Sequence, residues 1–238
     1  MNNYNIIAVN FKGSAPEYET LTMGFSRSVK KNANADLYLL TPWVPPKVKG
    51  CRFSYTVTNA KLNVWNEFAQ LISRPTILMD VDLIVRQDLG HVFDLDHDAV
   101  FTTNGTKNTW INSGVVFLKP TARAKDLMQR WTDADNELYQ TKIMNGMPKG
   151  VRKGHRDTGV LGMNQTSFAV IEKELDYGTI PCSKYNCWND TWREWNPKQT
   201  AVVHVQMGLR KALTQNLAGE DSKRRYDNIL RDILPYYL

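Results

Sequence analysis

Short apolar runs alternate with helical stretches through the first half of the chain, which predicts an α/β fold layered about a mainly parallel, mixed sheet. Two further observations carry that class. Proline and glycine close the runs at regular points, and neither an internal repeat nor a linker breaks the chain. The 238 residues, 42% of them hydrophobic, are enough for one substantial core, so a single domain over 1–238 is expected.

The elements follow in order. Residues 5–10 (NIIAVN) are apolar and β-branched, a first strand. Pro16 and Glu17 open a polar helical stretch reaching about residue 31. Residues 36–41 (DLYLLT) form a second strand, stopped by Pro42, and Pro45, Pro46 and Gly50 mark a loop. Thr58 or Asn59 can cap a helix with Leu62, Trp65, Phe68, Ala69 and Ile72 on one side, ended by Pro75. Residues 76–79 are a strand leading into Asp80-Val81-Asp82, and 100–103 and 115–118 are two more. Residues 121–139 read as a long amphipathic helix with Ala124, Leu127, Met128, Trp131 and Leu138 inward. A late strand at 201–205 (AVVHV) and a charged helix at 222–234 complete the chain. The second half is less regular, and Trp188, Trp192 and Trp195 crowd a polar loop.

Composition excludes several classes. No apolar run is long enough to cross a bilayer, and the first ten residues do not read as a signal peptide. Cys51, Cys182 and Cys187 are too sparse for a disulfide framework, so buried thiols in a reducing cytoplasm are expected. Lys and Arg total 30 against 24 Asp and Glu, a net charge of +6. The one basic cluster, Lys149, Arg152, Lys153, His155 and Arg156, lacks the interleaved aromatics that stack on bases, so it reads as a solvated loop with no nucleic-acid partner. A phosphate-bearing small substrate also suits a basic protein.

Asp-x-Asp recurs at Asp80/Asp82, Asp94/Asp96, Asp96/Asp98 and Asp133/Asp135, so the bare pattern selects nothing. A calcium loop starting at Asp94 fails because its sixth and twelfth places are Ala99 and Gly105. Asp80 and Asp82 differ in context: Thr76-Ile77-Leu78-Met79 precedes them and Leu83-Ile84-Val85 follows. Two carboxylates among apolar residues need a cation or donors. The carboxyl end of a strand is where open α/β sheets bind ligands, and residues i and i+2 of an extended backbone face one way. Such oxygens suit Mg²⁺ or Mn²⁺ on a diphosphate. A pair of capping or turn aspartates is the competing reading.

Three blocks resemble family 8 glycosyltransferases of the GT-A fold, and their glycogenin-like members in particular. The first is Ala60-Lys61-Leu62-Asn63-Val64-Trp65 with Arg74-Pro75 and the 76–85 run, similar to the family's Lys-Leu helix and Asp-x-Asp strand. The second is Ile111-Asn112-Ser113-Gly114-Val115-Val116-Phe117, similar to its Asn-Ser/Ala-Gly-Val block. The third is Val202-Val203-His204 with Gly208 and Lys211, similar to its terminal His–Gly–Lys motif. They stand in the family's order.

The resemblance implies a GT-A (Rossmann-like) nucleotide-diphospho-sugar transferase fold, with a nucleotide-binding half at about 1–105 and an acceptor half at about 106–238. It implies a metal-dependent hexosyltransferase using a nucleotide sugar, a UDP-sugar by family habit, with Mn²⁺ or Mg²⁺ and retention at the anomeric carbon. The acceptor, whether glycan, lipid or protein, stays open. By resemblance Asp82 chelates the metal, Asp80 shares the metal and the ribose side, and His204 is the third ligand. Lys61 lies near the donor, Asn112 and Ser113 line the sugar pocket, and Ala8, Val9 and Asn10 meet the nucleobase and ribose. The family's Asp-Gln pair is replaced by Asp157-Thr158, which leaves Asp157 as the first candidate for the acid and Gln165 for the amide. The third block has one extra residue before Gly208; counting from Gly208 selects Lys211 as the phosphate cation, and counting from His204 selects Arg210. The Gly-to-Lys interval favours Lys211, on a segment folding over the diphosphate, with Gly208 admitting a close backbone approach.

Two other classes compete. Haloacid-dehalogenase-like phosphatases also follow an apolar strand with Asp-x-Asp and would make Asp80 a nucleophile, but they place it on the first strand. A non-catalytic carbohydrate-binding module could use Trp188, Trp192 and Trp195, yet has no need of a metal constellation.

Overall fold

A computed structural model of the chain describes residues 3–46, 53–103, 111–145, 163–188, 191–219 and 226–238. The elements are β1 (Tyr4–Val9), α1 (Glu17–Asn32), β2 (Ala35–Leu40), α2 (Phe53–Leu71), β3 (Thr76–Met79), β4 (Leu83–Val85), β5 (Ala99–Thr103) and β6 (Ile111–Leu118). There follow α3 (Ala122–Asn145), α4 (Met163–Ile171), β7 (Gly178–Pro181), α5 (Cys182–Tyr185), β8 (Val202–His204), α6 (Met207–Leu217) and α7 (Asp227–Ile233).

Six strands form one sheet in the order β2-β1-β3-β6-β5-β7. β1 pairs in parallel with β2 and β3, and β5 with β7, while β6 runs antiparallel to both its neighbours. Five strands therefore share one direction. The mainly parallel, mixed sheet expected from the sequence is present.

Both faces of the central strands are covered, which is why β1 reads as a continuous apolar run. Its alternate residues serve two cores. Ile6 and Ala8 pack with Phe25 and Val29 of α1, whereas Ile7 and Val9 pack with Leu62 and Trp65 of α2 and Trp131 of α3. Trp65 and Trp131 are fully buried, as their helical positions implied. β4 and β8 form a small antiparallel ladder, and Ile84 and Val203 pack there against α6 and α7.

Some boundaries differ from expectation. α2 starts at Phe53, well before the expected cap, so Asn59 lies inside the helix and donates to two residues of α3, Asp135 at 2.8 Å and Asn136 at 2.8 Å. α4, β7 and α6 carry no clear pattern of their own and were not anticipated. The C-terminal helix is seen as Asp227–Ile233; residues 222–225, like the basic cluster, Cys51 and Asp157, lie outside the described residues. Cys182 and Cys187 are buried free thiols, as expected. Among the described residues, no helix is long and apolar enough to cross a membrane.

Candidate metal and nucleotide-sugar site

β1 and β3 end at the same rim where the antiparallel β6 begins: Ala8 stands beside Met79, and Met79 beside Val115. The chain leaves β3 at this rim through Asp80, Val81 and Asp82 and re-enters extended structure as β4. The aspartates thus lie on a turn. The pleat argument, in which residues i and i+2 of a strand face one way, is not the reason their carboxylates converge; the reversal from β3 to β4 is.

The β4–β8 ladder delivers the third group. Leu83 pairs with His204, and the Val205 N–H donates to the Asp82 carbonyl at 2.7 Å. His204 Nε2 consequently lies 3.1 Å from Asp82 Oδ1 and 3.8 Å from Asp80 Oδ2. One ligand atom from each of Asp80, Asp82 and His204 falls within a 4.8 Å cluster.

Two cations face these carboxylates. Lys61, on α2, lies over the Trp65 ring (4.4 Å to its centroid) and donates to Asp80 Oδ1 at 2.5 Å. Arg210, on α6, donates to Asp82 Oδ2, to the Val205 carbonyl at 3.2 Å and to the Tyr18 hydroxyl at 3.2 Å. Burial by itself would push the Asp82 carboxyl up. His204, Arg210 and Lys61 outweigh it and hold Asp82 below the usual carboxylate range.

Gly114 makes room for the histidine. A Cβ there would lie 2.9 Å from His204 Cε1, 3.1 Å from His204 Nδ1 and 3.1 Å from Asn112 Oδ1. Its N–H donates to Asn112 Oδ1 at 2.9 Å, and its carbonyl accepts the Asp80 N–H at 3.0 Å. The β5–β6 pairing slips register between Phe101 and Thr102, which leaves residues 113–115 of β6 without a β5 partner.

The structure thus brings together Lys61, Asp80, Asp82, Asn112 and His204, and adds Arg210. Ala8 and Val9 end β1 with their side chains in the core, leaving Asn10 part-exposed at the rim with its N–H on the Leu40 carbonyl at 2.9 Å. Ser113 is buried next to Asn112. Gly208 lies in the first turn of α6, where a Cβ would lie 2.5 Å from the Tyr226 hydroxyl; close helix packing accounts for the glycine there. Lys211 is exposed, and of the two neighbours it is Arg210 that reaches Asp82. Gln165 is half-buried on α4, which packs on α2, α3 and β6. Sequence reasoning missed Asn186 and Gln206. The Asn186 Oδ1 is 2.9 Å from His204 Nδ1, and the Gln206 amide reaches His204 Nε2 at 2.6 Å. Gln206 could have been flagged by its place two residues after the histidine; nothing near Asn186 flags it.

The sequence profile of the nucleotide-diphospho-sugar transferase family matches residues 47–213. The chain belongs to this family. The matched region holds Lys61, both aspartates, His204 and Arg210. Two solved structures share the fold of this nucleotide-diphospho-sugar transferase. One is a glycosyltransferase involved in the glycosylation of the major capsid of PBCV-1, at TM-score 0.53 and 12% identity, covering 87% of this chain and 96% of that one. The other is the glycosyltransferase GlyE of Streptococcus pneumoniae TIGR4, at TM-score 0.59 and 12% identity, covering all of this chain (100%) and 60% of that one. A sequence comparison with curated proteins gives no match. The family makes the chain a transferase with a nucleotide-sugar donor, and neither the phosphatase nor the binding-module alternative is favoured.

Proposed function

We propose that this transferase moves a hexosyl group from a UDP-sugar to an acceptor with a divalent ion, Mn²⁺ or Mg²⁺, held by Asp80, Asp82 and His204. The observation that carries the reading is the convergence of those three side chains at the strand-end rim. The donor set fits such an ion: two carboxylates and an imidazole nitrogen, two of the three side chains buried, with carboxylate and imidazole 3.1 Å apart. When bound, the ion supplies positive charge to the leaving diphosphate.

The chain's own residues complete the site. Lys61 and Arg210 balance the charges of Asp80 and Asp82. A divalent cation and a diphosphate ester arriving together preserve that balance, whereas either alone disturbs it. Metal and donor binding should therefore be cooperative. Arg210 is the better candidate for holding the diphosphate, with Gly208 and Lys211 on the same helix as the family-derived candidates. Ala8, Val9 and Asn10 are the candidates to meet the nucleobase and ribose, and Asn112 and Ser113 those to line the sugar pocket. Asp157 and Gln165 are the candidates beside the reacting sugar. Membership of family 8, likeness to its glycogenin-like branch, retention, and the division into a nucleotide half (1–105) and an acceptor half (106–238) rest on the sequence resemblance.

The test is a screen of nucleotide sugars for slow, Mn²⁺-dependent hydrolysis without acceptor. Release of UDP from one donor, lost on chelation and restored by Mn²⁺, is the expected result. Equal turnover in chelator refutes metal dependence, and release only from non-uridine donors refutes the UDP assignment. The anomer first formed, read by NMR, decides retention.

A further inference from the structure

We infer that Asn186, anchored by Thr102, is a positioning residue that sets the tautomer of His204; its consequence for metal binding rests on the reading just proposed. The inference follows from which atoms can donate. The Asn112 backbone carbonyl can only accept, and it takes the Thr102 hydroxyl proton at 3.0 Å. Beside the Cys182 thiol, Thr102 Oγ1 accepts from the Asn186 Nδ2, also at 3.0 Å. The amide of Asn186 is thereby oriented, and its Oδ1 faces His204 Nδ1 at 2.9 Å. An amide oxygen can only accept, so Nδ1 carries a proton. Nε2 is left facing Asp82 Oδ1 at 3.1 Å, and it is the nitrogen whose lone pair a metal takes in place of any proton held there.

Burial makes this relay binding on the ring. Thr102, Asn186 and His204 are each at most 1% exposed, so water does not substitute for a missing partner. The backbone holds the relay in place. Asn186 follows α5 directly and its N–H returns to the Cys182 carbonyl; Cys187 then bonds both flanks of β8, donating to Val202 and accepting from His204. The reverse orientation of the amide would leave the Asn112 carbonyl without the hydroxyl and place an N–H against Nδ1. That would drive the proton to Nε2, where it blocks the metal.

Two measurements test the inference separately from the function. Long-range ¹H–¹⁵N spectra of the metal-free protein, with the His204 signals identified by their loss in His204→Gln, report the tautomer directly. A proton on Nδ1 in the wild type, and a mixed signature in Thr102→Val, support the relay. A bare Nδ1, or a Thr102→Val spectrum unchanged from wild type, overturns it whether or not a metal binds. Mn²⁺ titration followed by electron paramagnetic resonance gives the second readout. Asn186→Leu should weaken Mn²⁺ binding by about 10- to 100-fold, and Asn186→Asp, which keeps the acceptor on Nδ1, should largely restore it. A wild type that binds no Mn²⁺ overturns the metal reading and leaves the tautomer to the spectra. A wild type that binds while folded Asn186→Leu binds as tightly overturns the role of Asn186. Should Asn186→Leu fail to fold, Thr102→Val, which replaces one hydroxyl by a methyl, carries the same titration.

Discussion

Replacing Gly114 with alanine adds one methyl group at the most crowded point of the site. That carbon would lie 2.9 Å from His204 Cε1 and 3.1 Å from both His204 Nδ1 and Asn112 Oδ1. Neither side has slack. The Gly114 backbone is pinned to Asn112 through its N–H and to Asp80 through its carbonyl. The imidazole is held by Asn186 on one nitrogen and faces Asp82 with the other. Overpacking of this kind costs about 1–3 kcal/mol, and losing the bond from His204 to Asn186 adds about 1 kcal/mol. In a domain of this size each kcal/mol lowers Tm by roughly 2–4 °C, so Gly114→Ala should melt roughly 4–16 °C lower. The displaced ring should also weaken Mn²⁺ binding. Thermal unfolding and Mn²⁺ titration on one preparation check both effects. A variant within about 0.5 kcal/mol of wild type, with unchanged Mn²⁺ affinity, would refute the packing argument.

Three further outcomes are expected. Asp82→Ala should cost at least about a hundredfold in turnover, roughly 2.7 kcal/mol at the transition state, as measured by UDP release; a smaller loss removes Asp82 as the primary ligand. Arg210→Met frees the Asp82 carboxylate of its guanidinium, so Mn²⁺ alone should bind more tightly while UDP binds more weakly. Calorimetry checks both, and the same pattern in Lys211→Met instead would return the phosphate role to Lys211. Burial pushes Cys182 up to about 12 and Cys187 up to about 11, so both thiols stay protonated in the fold while the unfolded chain ionises near 8.5. Stability from this source is therefore full below about pH 8.5 and falls as pH rises toward the folded values. In a Cys51→Ser background, native protein at about pH 8 should resist alkylation, and rapid labelling of Cys182 or Cys187, read by mass spectrometry, would contradict their burial.

The α/β class was legible because a strand covered on both faces must be apolar on both, and β1 and β3 are written that way. Asp80 and Asp82 were legible because carboxylates inside such a run are costly unless compensated. Hidden from sequence was everything that depends on partners distant in the chain. Asn59 resembles a cap, and only the tertiary structure shows it inside α2, donating to Asp135 of α3. Gly208 suggested a phosphate approach, and only the Tyr226 ring explains its missing side chain. The Gly-to-Lys interval favours Lys211, but a helix points neighbours about 100° apart, and tertiary docking turns Arg210 toward Asp82. The apolar periodicity and the residue types able to hold a cation can be read without a fold, because they are local properties of the chain. The tertiary structure alone decided that His204 meets Asp82, through the β4–β8 pairing, and that Asn186 stands behind it, because hydrogen-bond partners 122 and 18 residues apart leave no periodic trace in a sequence.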